Sequence, residues 1–216
     1  MSDLTIDILC FLYVTLEVFT GFLLYRYAKW RSEGVRKFIH ILTSFIILPC
    51  EMYVSSPWWR IALPFAFIFI NLFAVYTNMI KDLGLRDEKR NIGLVLYPVG
   101  VTAVVVMETL SIISRESAIA GVLMLGLGDG MAALVGTRWG KHTFFVYNKS
   151  KRSIEGCIAM ASASVLIVLL FSEVPLLYAI FIGLVAAVIE ALSPSSLDNI
   201  SVPVLTSLVV EAFLGI

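Results

Sequence analysis

Eight apolar runs, joined by connections too short to fold by themselves, constrain this chain more than any motif does. They lie near Leu4–Tyr25, Phe38–Val54, Trp58–Ile80, Ile92–Ile113, Ala118–Val135, Ile154–Phe171, Pro175–Leu192 and, more weakly, Ile200–Ile216. Crossing the hydrocarbon core of a bilayer takes about 20 apolar residues as helix. Only helices or closed barrels satisfy their backbone there, and runs this long and continuous are not barrel strands. Composition agrees: 59% of the 216 residues are hydrophobic and 15% charged, against roughly half and a quarter in a soluble domain. The expectation is an all-α, polytopic membrane bundle of seven to eight transmembrane helices, eight favoured, forming a single domain over residues 1–216. Cys10, Cys50 and Cys157 sit in apolar runs without paired spacing and read as small buried hydrophobes. The first run lacks a basic leader, so no cleaved secretory signal is expected.

The formal net charge is zero, so the distribution of charge is what informs. Lysine and arginine number five in Arg26–Lys37, four in Lys81–Arg90 and five in Arg138–Arg152, fourteen of the sixteen in the chain. Arg60 and Arg115 are the other two. Positive charge on alternate connections places those connections in the cytosol and the N-terminus outside.

Polar residues within such runs are costly and therefore informative. The second run opens with "GVRKFIH", where Arg36, Lys37 and His40 share a helical face at a helix N-terminus, a place that already favours an anion. Membrane-anchoring cations and a structural histidine are the plainer readings. In "LGLGDGMAALVGTRWG", Asp129, Ala132, Gly136 and Gly140 follow one helical stripe. A small-residue helix contact explains the glycines, but a carboxylate there needs a cation, a metal or a donor nearby. Asp129 is expected about six residues, roughly 9 Å, from the cytosolic end of its helix. "NKSKRSIEG" brings Lys149, Lys151 and Arg152 up to Ser153, a natural N-cap, with Glu155 in the first turn. Glu190 closes the seventh run, and Asp198 and Asn199 precede the eighth, where either can cap it. Other carboxylates, such as Glu17 in the first run, lack such company and read as packing or pairing residues.

Together these put three groups of cations and several carboxylates at one membrane face. Amides and Lys/Arg suit phosphate oxygens and carboxylates suit Mg2+, so the combination fits a metal-bound polyphosphate. No Walker loop, protein-kinase glycine loop or zinc spacing is present. A nucleotide site would be built from membrane helices, and its acceptor would arrive through the bilayer.

The segments "RKFIH", "GDGMAALVGTRWG", "KRSIEG" and "IEALSPSSLDNISVPVLTSL", in this order, resemble the polyprenol kinase family of dolichol kinases, phytol kinases and CTP-dependent diacylglycerol kinases. The resemblance runs from about the second helix to the C-terminus. It implies an integral membrane enzyme that moves the γ-phosphoryl group of CTP to a lipid alcohol with a divalent cation, Mg2+ or another. On that resemblance Arg36 and Lys37 match the family's essential basic pair and His40 completes the motif, giving Asp129, Lys37, Arg36 and His40 as catalytic candidates. Arg36, Lys37, Gly128, Gly136, Gly140, Lys149, Lys151, Arg152, Ser153, Glu155 and Gly156 are the nucleotide-binding candidates. Asp129, Glu190, Asp198 and Asn199 are the metal candidates. Arg152 stands directly before Ser153 where the family usually has lysine, and Lys151 is one position off. "YNKSKRSIEGCIAMA" leans toward phytol kinases. Asp129 is the first candidate for the proton acceptor and His40 the second.

The expected partners are the nucleotide, a lipid alcohol and membrane lipids, without nucleic acid; a homo-oligomer stays open. A cytidylyltransferase joining CTP to a lipid phosphate is the alternative. A transporter of anionic solutes ranks third, because the polar groups crowd one face and no halves repeat.

Overall fold

The computed structural model describes residues 2–77, 79, 88–146, 151–194 and 196–214. Most of the Lys81–Arg90 connection, and Lys149, fall outside those residues. Of the described residues 82% are helical. In order the elements are α1 (Asp3–Arg26), α2 (Ser32–Ser44), α3 (Ile47–Tyr53), α4 (Pro57–Tyr76), α5 (Glu88–Thr109) and α6 (Arg115–Leu123). A π-helical turn (Met124–Gly128) leads into α7 (Asp129–Trp139), then β1 (Thr143–Phe145), β2 (Lys151–Ser153), α8 (Ile154–Phe171), α9 (Leu176–Leu192) and α10 (Asp198–Phe213).

Among the described residues five helices are long and apolar enough to cross a bilayer: Asp3–Arg26, Pro57–Tyr76, Asn91–Thr109, Arg115–Trp139 and Ile154–Phe171. The expected count of seven to eight meets shorter elements in the remaining runs. Phe38–Val54 does not form one helix, because α2 ends at Ser44 and α3 starts at Ile47. Pro49 accounts for the break: it lacks an N–H for the carbonyl of Phe45 and its ring crowds that carbonyl. Leu176–Leu192 is apolar but has only 17 residues, and α10 has 16.

The core is the continuous helix Arg115–Trp139, 72% of whose apolar window is buried. Ser117 to Gly126 are buried without interruption, which means apolar surface on every side of the helix and neighbours all round it. Helices α2, α8 and α10 supply those neighbours. By contrast only 6% of the α4 window is buried, and Phe65, Phe69, Leu72 and Phe73 project outward as a lipid-facing surface. Small residues let the backbones close in. A Cβ on Gly156 would lie 2.9 Å from the carbonyl oxygen of Ala132, and one on Gly183 2.7 Å from that of Ala161.

Two features shape the site. The π turn adds a residue to the central helix, rotating α7 by about 100°, and such turns recur at functional positions. Gly126 within it lets α2 approach so closely that a Cβ would strike Ser44 and, at 2.9 Å, the carbonyl of His40. The second feature is a hairpin where a plain connection was expected. β1 and β2 pair antiparallel, with Phe144 opposite Arg152 and Phe145 opposite Lys151.

The bundle has two chemically different ends. Side chains of α2, α7, the hairpin and the start of α10 meet toward one, the basic end. At the other, Glu211 of α10 accepts hydrogen bonds at 2.6 Å from the amide and hydroxyl of Ser114, the residue that caps α6.

Candidate active site

Lys37 and His40, three residues apart on α2, turn toward the first residue of α7. Lys37 Nζ donates to Asp129 Oδ2 at 2.5 Å, and His40 Nε2 stands 3.5 Å from the same oxygen. All three are buried, Asp129 with 2% of its surface exposed. Asp129 lies ten residues before the helix ends at Trp139, roughly 15 Å by the helical rise. That is deeper than the six residues expected, because the helix runs on past Val135.

Arg152 approaches from the other side. Alternation along a strand sends successive side chains to opposite faces, so Lys151 is exposed while Arg152 turns inward. Its Nη1 lies 2.7 Å from Glu190 Oε1, and its Nη2 reaches the Glu190 carbonyl at 3.3 Å and Asp198 Oδ2 at 3.5 Å. Of Lys151 and Arg152 the inward cation is therefore the arginine, next to the serine.

Asp129, Glu190 and Asp198 thus converge from α7, α9 and α10, and one carboxylate oxygen from each lies within 4.8 Å of the others. Hard oxygen donors of this kind suit Mg2+, Mn2+ or Ca2+. With Mg2+–O distances of about 2.0–2.1 Å, oxygens across one ion are about 4 Å apart. The spacing suits two direct carboxylates and a third through water or a phosphate oxygen. Among the described residues three carboxylates pair with two cations, Lys37 and Arg152, which leaves an excess of negative charge that a divalent ion would balance.

The remaining candidates fall into separate roles. Arg36 pairs with Glu33 on its own helix, 2.6 Å from Nη2 to Oε1, and faces an internal cavity. Asn199 donates its amide to the carbonyl of Ser196 at 3.1 Å, beside Asp198. Ser196 holds φ 72°, and this left-handed residue bends the chain from α9 into α10. Ser153 caps α8 as expected, accepting from the Gly156 amide at 3.1 Å. Gly136, Gly140 and Gly156 gather around Ser153, where a Cβ on Gly136 or Gly140 would lie 3.0 or 2.9 Å from its hydroxyl. Glu155 turns to His142, with Oε1 2.8 Å from Nδ1, and ties the hairpin to α8. A Cβ on Gly128 would meet the Met160 sulfur at 2.7 Å. Glu17 is a pairing residue, accepting from the Thr43 hydroxyl at 2.7 Å.

Sequence reasoning missed two parts of this region. Tyr97 of α5 is buried with its ring 4.2 Å from that of His40, and its hydroxyl donates to the His40 carbonyl at 3.3 Å. Its signal was weak, since an aromatic next to Pro98 reads as core. The second is a half-open cavity of about 530 Å3 lined by α1 to α6. It is almost entirely apolar, and its wall includes His40 and Arg36.

Comparison with known proteins gives two relatives. A phytol kinase of Synechocystis sp. is 29% identical over 209 residues, covering 93% of this chain and 88% of that protein. A dolichol kinase of Schizosaccharomyces pombe is 37% identical over 92 residues, 39% of this chain and 17% of that longer protein. No protein-family profile matches the chain. No solved structure matches it either.

Proposed function

Since this chain belongs to the polyprenol and phytol kinase family, we propose that it transfers the γ-phosphoryl group of CTP to a lipid alcohol at the cytosolic face of a membrane. It is a lipid kinase and a membrane protein by kinship and by its apolar helices. The observation that carries the finer reading is the meeting of Asp129, Glu190 and Asp198 with Lys37 and Arg152, beside a cavity lined by His40.

The acceptor oxygen bonds to the γ-phosphorus, the bond to the bridging oxygen breaks, and CDP leaves. Such a transfer asks mainly for alignment and charge neutralisation. Asp129, Glu190 and Asp198 would hold Mg2+, which neutralises phosphate charge when bound. Lys37 and Arg152 add positive charge for phosphate oxygens at the same place, and Lys151 and Arg36 extend it outward. His40 Nε2 is buried and has no hydrogen-bond partner among the described residues. It is the group left free to meet the acceptor hydroxyl, whose proton passes to Asp129 or His40.

The proposed topology has eight crossings with the N-terminus outside, α2 with α3, α9 and α10 making up the crossings beyond the five long helices. Cysteines at Lys89 and Lys149, labelled from outside intact cells, should react poorly. Efficient labelling of both would reverse the orientation. The reaction itself is tested with CTP labelled at the α or γ position, offered with a lipid alcohol or a lipid phosphate. Label from the γ position on the alcohol, with CDP released, is expected. A CDP-lipid with pyrophosphate would establish the cytidylyltransferase instead.

A further inference from the structure

α5 supplies none of the carboxylates or cations of the candidate site, yet one of its faces touches two separate parts of it. Gly93, Tyr97 and Gly100 are four and three residues apart and all buried, so they form a single helical stripe. Its glycines lie against the start of α10. A Cβ on Gly93 would stand 3.1 Å from Asn199 Nδ2, and one on Gly100 would strike the Asn199 carbonyl. Asn199 in turn holds its neighbour. Its backbone amide donates to Asp198 Oδ1 at 3.0 Å and leaves Oδ2 for Arg152. From between the two glycines Tyr97 reaches across to α2. Its hydroxyl donates to the His40 carbonyl at 3.3 Å, and its ring lies 4.2 Å from the imidazole at an angle of 57°.

We propose that Tyr97 is a positioning residue of the phosphoryl-transfer site: seated through α5 against the Asp198 side, it fixes His40 so that Nε2 stays beside Asp129. This rests on the lipid-kinase reading and adds to it a residue outside the four segments that carry the family resemblance.

Three observations lead there. The imidazole has no hydrogen bond at Nε2 to set its orientation, since that nitrogen lacks a partner among the described residues. Its 3.5 Å separation from Asp129 Oδ2 is longer than a hydrogen bond of full strength. A ring packed on the imidazole supplies the restraint that the missing bond does not. The backbone of His40 is gripped as well. Its carbonyl receives the Tyr97 hydroxyl and also faces Gly126, where a Cβ would come within 2.9 Å of it. The position of His40 is therefore set by α5 and the π turn together. The third observation is the hydroxyl itself. Packing of α5 on α2 asks only for a phenylalanine, and a buried hydroxyl is costly unless it is bonded. Here that bond goes to His40.

Two readouts on the full-length protein in nanodiscs test the assignment. The first needs no turnover. Hydrogen–deuterium exchange at the imidazole Cε1, followed by mass spectrometry, reads each histidine separately, and the chain has two, His40 and the exposed His142. Tyr97→Leu removes both ring and hydroxyl, so exchange at His40 should rise severalfold while that at His142 stays the same. Tyr97→Phe keeps the ring and should fall between the two. Should Tyr97→Leu fold poorly, Tyr97→Phe carries both readouts, because it deletes the hydroxyl alone. Unchanged exchange at His40 in the folded variants would overturn the positioning role whatever the turnover. The second readout is steady-state transfer from CTP. Tyr97→Leu should lower kcat about ten- to hundred-fold with the apparent KM for CTP unchanged, and Tyr97→Phe should recover part of the loss. In a His40→Gln background the same change at Tyr97 should cost almost nothing more, because its effect passes through His40. A full additional loss in that background would make Tyr97 a packing residue and overturn the proposal. Raised exchange at His40 in Tyr97→Leu, with no transfer to any alcohol by the wild type, would uphold the hold of Tyr97 on His40 and refute the lipid-kinase reading.

Discussion

Two buried charge clusters sit at opposite ends of the bundle, and they differ in one respect that separates chemistry from architecture. At the far end Arg60 and Arg115 face Glu51 and Glu108, two cations for two carboxylates. At the basic end, among the described residues, Lys37 and Arg152 are ion-paired with Asp129, Glu190 and Asp198, two cations for three carboxylates. The far cluster is balanced in charge and ties α3, α4 and α5 together with the start of α6, while Glu51 Oε1 and Arg60 Nε keep no hydrogen-bond partner among the described residues. The basic-end cluster is incomplete, lies beside an orphaned histidine and opens on an apolar cavity. A balanced buried network holds helices in place. An unbalanced one waits for charge from outside.

The largest expected effect falls on the balanced cluster. Glu51 is 1% exposed, and Glu51→Ala strips Arg60 of one of its two carboxylates in a buried setting. Breaking such a pair costs about 3–5 kcal/mol, so the melting temperature in detergent should drop sharply. The apparent KM for CTP of the surviving folded protein should stay unchanged. A shifted KM without loss of stability would mean that the two ends do not divide their work as described.

At the basic end the effect should appear in kinetics instead. Lys37→Ala or Arg36→Ala should lower kcat, raise the apparent KM for CTP, or both, by about ten- to hundred-fold, the worth of a charge-assisted contact. Arg36→Lys should recover only part of this, since lysine cannot make a bidentate contact. At saturating CTP the alcohol's apparent affinity should barely move for Lys37→Ala. Steady-state kinetics with each substrate varied in turn decides it. Loss of alcohol affinity alone, with CTP kinetics intact, would assign the pair to acceptor binding instead.

Much of this contrast could be read in the sequence, and the part that could not has physical reasons. Fourteen of sixteen cations on alternate connections pointed to a basic end, and Lys37 and Arg152, from two of those connections, meet at one carboxylate cluster. The remaining two, Arg60 and Arg115, gave no hint that they would meet at Glu51, because residues far apart in sequence carry no periodic signal of their pairing. Asp129, Lys37 and His40 stood out as polar groups in apolar helix, and packing brings them together. Arg152 and Lys151 could not be ranked by spacing. A two-residue alternation in an unforeseen hairpin turns one inward and the other out. Hydropathy registers an apolar run but not the backbone break that Pro49 imposes on Phe38–Val54, which forms two short helices in place of one. The cavity left no trace in the sequence, because a void is a property of how helices fail to touch.

The most direct test of the division between the two clusters is a Mn2+ titration followed by electron paramagnetic resonance, with Mn2+ standing for Mg2+ as a hard, oxygen-seeking ion. Wild-type protein, Asp129→Asn and Glu51→Gln would be compared in the same detergent, with and without CTP, beside their rates of phosphoryl transfer. A bound ion is expected in wild type and in folded Glu51→Gln. Asp129→Asn should lose it along with at least about a hundred-fold in kcat, while keeping its melting temperature. Unchanged Mn2+ binding and near-normal turnover in Asp129→Asn would contradict this division of labour, as would loss of the ion in a folded Glu51→Gln.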